Sequence, residues 1–271
     1  MSSLLQKFQS LLIVLIGTPL AFYVLYAAGL FFGQRAIIFP AGVREVAMPV
    51  DKVFYGHPTT MIEGCPVALV LPEGKTAADC PIFIVAHGNA ELISDYVDLA
   101  NQFARRGCGL LLVEFPGYGG APGKPGRNTL GVVFDKAYDW LVSDQQGADP
   151  KQIYGLGRSI GTGVVCDLSR SRDLAGLVLL SPFADLRDLA RRRLLPGFLL
   201  RHPFNNEAAV ADFDRPVLVF HGLHDRIIPV EDGRRVVKAS AKAELVLLEY
   251  GHNDIPFDNT LIDRIVAFVR K

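Results

Sequence analysis

A short apolar run from Ile153 to Leu156 leads straight into Gly157-Arg158-Ser159-Ile160-Gly161, and a segment able to form a helix follows. Gly-x-Ser-x-Gly between a strand and a helix demands a turn so sharp that its flanking positions tolerate little beyond glycine. Such a turn lifts the serine hydroxyl clear of a sheet. It also aims the first backbone N–H groups of the helix at whatever the serine attacks. The pentapeptide gains its weight from what the rest of the chain supplies, and in which order.

The surrounding pattern alternates. Ile82-Phe83-Ile84-Val85-Ala86 and Leu110-Leu111-Leu112-Val113 are solid apolar runs, as in strands covered on both faces. Helices are expected at about 95–106, 129–142, 161–170, 231–240 and 260–269, and further strands at 177–180, 217–220 and 245–248. Shorter strands are expected earlier, at 37–39, 43–49, 53–55 and 67–71, as in an antiparallel opening to a sheet. Strands alternating with covering helices predict a three-layer α/β domain with a mostly parallel central sheet.

A serine hydroxyl is a feeble nucleophile near neutral pH. It needs a base within hydrogen-bond reach, and the base needs an acid to hold its tautomer. In a sheet of this kind the chain order is serine, acid, histidine, and the sequence offers Ser159, Asp225 and His252. Asp225 lies in His221-Gly222-Leu223-His224-Asp225 and His252 in Glu249-Tyr250-Gly251-His252-Asn253, each just past an expected strand. Parallel sheets gather their active sites at such strand ends. The backbone N–H groups of Ile160 and of Asn89, in His87-Gly88-Asn89-Ala90, are the expected oxyanion donors. Asp232 and Asp254 remain rival acids. His221 is expected to shape its turn, and His224 sits too near Asp225 to receive its carboxylate across a site. Arg158 either binds a substrate anion or, the favoured reading, turns sideways into an ion pair. No HxxxH or CxxC spacing points to metal-dependent hydrolysis, and neither metal nor cofactor is expected.

These motifs, with Gln34-Arg35…Phe39-Pro40 and Phe115-Pro116-Gly117-Tyr118-Gly119, resemble the BEM46-type branch of the α/β-hydrolase superfamily. That membrane-anchored group includes α/β-hydrolase domain-containing proteins 13 and 17. The resemblance spans nearly the whole chain. It implies an α/β-hydrolase fold and a serine hydrolase acting on ester, thioester or amide bonds of acyl substrates, often lipids. Where relatives usually carry aspartate-tyrosine-arginine, this chain reads Glu114-Phe115-Pro116, a difference expected at the pocket wall and not among the catalytic groups.

No charged residue falls between Lys7 and Arg35, and Leu11 to Phe32 is densely apolar. At about 1.5 Å per residue that stretch reaches roughly 33 Å, enough for a bilayer core of about 30 Å. A cleavable signal would have a shorter apolar region and a small-x-small site; here Ala28 follows Tyr26 and Ala27 follows Leu25 at that spacing. Residues 1–34 are therefore expected to be one retained transmembrane helix, and residues 35–271 the catalytic domain. Lys7 on one side against Arg35, Arg44 and Lys52 on the other leaves the positive-inside rule almost balanced. The expectation adopted is a periplasmic or lumenal catalytic domain. Cys65 and Cys80 bracket a loop that an oxidising compartment could bridge, whereas Cys108 and Cys166 read as small apolar fillers.

The 28 basic residues balance 28 acidic ones, so no net field invites nucleic acid. The expected partners are a small acyl or lipid substrate and the membrane. The one long insertion, at about 183–213, is basic and apolar by turns around Arg191-Arg192-Arg193-Leu194-Leu195. It reads either as a helix packed on the sheet edge or as a short lid that touches acyl chains and phosphate heads.

Overall fold

The solid apolar runs form the middle of an eight-stranded sheet. In the computed structural model, which describes residues 2–40, 50–54 and 56–270, the strands are β1 (Thr59–Ile62), β2 (Cys65–Val70), β3 (Ile82–Ala86), β4 (Gly109–Val113), β5 (Ile153–Arg158), β6 (Gly176–Leu180), β7 (Val217–Gly222) and β8 (Ala243–Leu248). They lie in the order β1-β2-β4-β3-β5-β6-β7-β8. β2 is antiparallel to β1 and to β4, and every other pairing is parallel. Each residue of β3, β4 and β6 is buried, as cover on both faces requires.

The helices are α1 (Ser2–Leu12), α2 (Thr18–Ile38), α3 (Val50–Val53), α4 (Val97–Arg105), α5 (Arg127–Val142), α6 (Ile160–Ser171), α7 (Leu186–Arg192), α8 (Asn206–Asp212), α9 (Val230–Lys238) and α10 (Asn259–Phe268). Strand side chains alternate between two cores. Ile84, Leu111 and Leu179 pack with Phe134 of α5, Val165 of α6 and Val236 of α9. Phe83, Leu110 and Val178 pack on the other side with Phe103 of α4 and Ile265 of α10. The expected three layers are present.

The opening of the chain departs from expectation. α2 continues past Arg35 to Ile38, so residues 37–38 are helical where a strand was expected. An apolar helix has no reason to stop before Pro40, which cannot donate to an earlier carbonyl. The expected strand at 43–49 lies outside the described residues, as does Tyr55. Val53 ends the short helix α3. The unexpected strand is β1, only four residues long, which returns into β2 through Glu63-Gly64, both with positive φ. That two-residue turn suits the twist of a hairpin.

Between α1 and α2, Ile13–Gly17 forms a π-helical turn. Pro19 lacks an N–H and its ring presses on the carbonyl of the preceding turn, which widens the helix there. From Leu5 to Ile38 the helix is long and apolar enough to cross a membrane, its most apolar 18 residues having a mean hydropathy of 2.2.

The β5–α6 junction is the tightest point of the fold. Ser159 sits at φ 51° and ψ −117°. A Cβ on Gly157 would meet the Gly161 carbonyl oxygen at 2.6 Å, and one on Gly161 would meet the Ala86 carbonyl oxygen at 2.0 Å. Both obstacles are backbone and cannot swing aside. Gly161→Ala is therefore expected to destabilise the chain by about 3 kcal/mol or more, read as a lowered midpoint in urea unfolding; an unchanged midpoint would contradict this packing.

Candidate active site

The sheet register brings several strand ends to one edge. Ala86 pairs with Gly157, Arg158 with Leu180, Leu180 with Phe220, and Gly222 with Leu248. The loops after β3, β5, β7 and β8 therefore meet above that edge. Ser159 Oγ lies 2.8 Å from His252 Nε2, and His252 Nδ1 lies 2.6 Å from Asp225 Oδ2. A carboxylate accepts from Nδ1–H, which leaves the Nε2 lone pair to accept from the serine hydroxyl. Asp225 Oδ1 also accepts the N–H groups of Ile227 and Ile228 at 2.9 and 2.8 Å. Burial pushes the Asp225 carboxyl upward, but the His221 ring 3.5 Å away, the hydrogen bond from His252 and the Ile228 amide outweigh it and hold it well below the usual range.

The rivals are occupied elsewhere. Asp232 accepts from Arg192 Nη1 and the Ala184 amide, and Asp254 accepts from the Gly251 amide. His221 donates from Nε2 to the Ile228 carbonyl at 2.9 Å, bracing its turn as the sequence suggests. His224 is exposed and pairs with Glu249.

Asn89 and Ile160 both line the cavity above Ser159. As the first residue of α6, Ile160 has no intrahelical acceptor for its N–H. The Asn89 carbonyl, one peptide unit on from its N–H, accepts from Tyr118 Oη at 2.9 Å, which anchors this loop. Beneath the same loop, buried His87 contacts Glu114 Oε1 through Nε2 and the Gly88 carbonyl through Nδ1, both at 2.8 Å. Two acceptors demand two N–H donors, hence an imidazolium. Burial alone would lower the His87 titration; Glu114 more than offsets it and raises it. The Glu114 that departs from the usual aspartate thus lies behind the oxyanion loop instead of at the wall.

Glu91 has no obvious signal in the sequence beyond standing three residues after Gly88. Its Oε2 accepts from the Gly88 amide at 2.6 Å and from Tyr96 Oη at 2.7 Å, while Oε1 pairs with Arg158 Nη1 at 2.9 Å. Arg158 donates in turn to the Asn253 carbonyl at 3.0 Å. One ion pair therefore ties the His87–Ala90 loop, the Ser159 turn and the His252 loop together. Arg158 turns sideways, as favoured.

Above the serine is a cavity of about 510 Å³. Phe183, Leu186 and Leu189 line one side, Ile227 and Ile228 another, with Arg192, Arg193 and Arg226 the charged groups on its wall. The insertion at 183–213 forms this roof through α7, Leu195 and Leu200, with α8 packed against α6. Cys65, Cys80, Cys108 and Cys166 are all buried free thiols, so the bridge considered between Cys65 and Cys80 is not formed. Among the described residues, no group of three His, Cys, Asp or Glu side chains is placed to hold a metal ion.

A parallel sheet in this strand order, with the serine on a strained strand–helix turn, defines an α/β-hydrolase fold. Residues 78–203 match the family model described as serine aminopeptidase, S33. The chain is 36% identical over 180 residues to the uncharacterized protein Rv2307c of Mycobacterium tuberculosis, covering 64% of this chain and 63% of that protein. It is 28% identical over 195 residues to human α/β hydrolase domain-containing protein 17C, covering 69% of this chain and 57% of that one. The match thus spans less than two thirds of the length of these relatives. The Pyrococcus furiosus esterase Pf2001 superposes with a TM-score of 0.67 at 17% identity, over 86% of this chain and 97% of that one. The chain belongs to the α/β-hydrolase superfamily and is of the type of α/β hydrolase domain-containing proteins 17B and 17C.

Two outcomes follow from these contacts. Because the folded-state titration of Asp225 lies below its unfolded value, its carboxylate contributes full stability above about pH 5, and the contribution is lost as pH falls through the depressed value. Urea unfolding between about pH 5 and pH 3 is expected to be flatter for Asp225→Asn than for wild type; parallel curves would contradict the assignment. Arg158→Met and Glu91→Gln are each expected to slow phosphonylation of Ser159 by about tenfold, and the double variant by little more. Strictly multiplicative losses would show that the two side chains do not act as one tie.

Proposed function

We propose that this hydrolase is a serine carboxylesterase, cleaving an ester of an acyl or lipid-like substrate through an acyl-enzyme. The reading rests chiefly on the continuous Ser159–His252–Asp225 hydrogen-bond chain beneath an apolar cavity. Ser159 Oγ attacks the carbonyl carbon while its proton passes to His252 Nε2, and Asp225 favours the imidazolium so formed. The oxygen that becomes an alkoxide sits between the N–H groups of Ile160 and Asn89. Removing one such donor from an oxyanion hole typically costs about 3 kcal/mol in the barrier. The tetrahedral species collapses, His252 returns the proton to the departing alcohol, and water repeats the sequence in reverse to free the acid.

The family model's description makes an aminopeptidase the second reading. Such an enzyme must hold a substrate ammonium, which calls for a carboxylate near the serine. The cavity wall carries arginines and no acidic residue among its described lining, which favours neutral or anionic substrates. A thioester in place of the ester would meet the same groups. A tethered binding protein without turnover would gain nothing from an aligned imidazole.

A fluorophosphonate probe is expected to label the wild type at Ser159 and to leave Ser159→Ala unlabelled. His252→Ala is expected to lower ester turnover by roughly 10⁴-fold or more, whereas His224→Ala keeps most of it. No labelling of folded wild type would end the esterase reading.

A further inference from the structure

The cavity over Ser159 takes one of its walls from the N-terminal apolar helix. Leu30, Gln34, Ile37 and Ile38 of α2 all line it, opposite Leu189 and Leu195 of the roof. α2 is fastened to that roof at two places, with Leu30 between them. Tyr23 Oη donates to the Leu194 carbonyl at 3.0 Å and Tyr26 Oη to the Arg193 carbonyl at 2.9 Å. Lower down, the Gln34 amide donates to the Leu199 carbonyl at 3.2 Å and its oxygen accepts the Arg201 N–H at 2.6 Å.

The outward face of the same helix is apolar and uncovered. Leu25 is 69% exposed and Phe32 78%, and beside them on the roof Leu194 is 68% and Phe198 85% exposed. Water is a poor neighbour for such a surface, whereas acyl chains cover it without cost. Ahead of the tyrosine contacts, Leu5–Phe22 reaches roughly 27 Å at about 1.5 Å per residue, close to a hydrocarbon core of about 30 Å. The helix that enters the bilayer therefore delivers the roof to its surface, with the cavity alongside.

The charges on the cavity wall are unequal. Arg192 is paired with Asp232, and its neighbour Arg191 with Asp188. Arg193 and Arg226 have no carboxylate partner among the described residues and also line the cavity. Two unneutralised guanidinium groups beside an apolar slot suit a ligand with an acyl tail and an anionic head.

The geometry points to a lateral lipid portal: the seam between α2 and the α7–Leu200 roof admits one acyl chain from the bilayer to Ser159, and Arg193 and Arg226 read the anionic head. α2 is then a wall of the substrate site as well as a tether. This deepens the esterase proposal and rests on Ser159 as the nucleophile. Lateral access keeps each methylene in apolar surroundings throughout, whereas access through water would expose them one by one.

The test uses the full chain in mixed phosphatidylcholine–phosphatidylglycerol vesicles and a hexadecyl fluorophosphonate bearing a terminal diazirine. After attachment at Ser159 and irradiation, crosslinks are expected on residues 25–38 and 186–200. Crosslinks confined to other elements would overturn the portal while leaving the esterase intact. Failure of both this probe and its ethyl analogue to attach at Ser159 would instead overturn the esterase reading beneath it. Ile37→Trp is expected to lower the hexadecyl-to-ethyl labelling ratio by about tenfold, and an unchanged ratio counts against the wall. For the head group, wild type is expected to hydrolyse palmitoyl lysophosphatidylglycerol about tenfold faster than its choline counterpart, a preference lost in R193A/R226A. Equal rates in wild type would remove the arginines from substrate recognition.

Discussion

The site depends on one backbone contact with no room for a methyl group. Gly161 passes so close to the end of β3 that a Cβ would collide with the Ala86 carbonyl oxygen. That approach sets the first turn of α6 directly beside the loop after β3. It also brings Ile160 and Asn89 into the lining of one cavity with Ser159. A wider junction would leave the serine in place and separate the two residues proposed as oxyanion donors, and oxyanion stabilisation is the effect most sensitive to such a shift. The positive φ of Ser159 is the local cost of this arrangement, and packing on both sides of β5 sustains it.

The loops that carry the remaining groups are held by charges arranged in pairs. His87 with Glu114 braces the loop after β3 from below, and Glu91 with Arg158 ties it to the Ser159 turn and to the Asn253 carbonyl. Asp225 differs. Among the described residues it is paired with no lysine or arginine and meets amide and imidazole N–H groups instead. Its charge is left available to an imidazolium at His252, as the proposed attack by Ser159 requires, whereas an arginine partner would have neutralised it in advance.

Much of this was legible in the chain. Ser159, Asp225 and His252 could be placed because each follows an apolar run that only a buried strand explains, in the order the fold demands. Arg158 was readable as a side-facing ion-pair former, but its partner was not, since Glu91 reaches it only after β3 and β5 align. The segment at 37–39 read as a strand because three apolar residues carry no period; the helix preceding it decides the matter. β1 escaped notice because Thr59–Ile62 is short and offers a single buried residue, with its hairpin turn built on Glu63-Gly64 instead of a familiar Asn-Gly.

The N-terminal helix was legible as apolar and long, and for that reason looked separable from the chemistry. Its attachment to the roof uses tyrosine hydroxyls and one glutamine meeting backbone carbonyls and an amide more than 160 residues away. No local periodicity announces such contacts. Yet the roof is only one short helix and the chain as far as Leu200, too little to enclose the cavity by itself. With α2 as the further wall, a brief insertion closes the cavity that would otherwise need a larger cap. The length of the insertion and the presence of the helix are then one design, because each supplies the surface the other lacks.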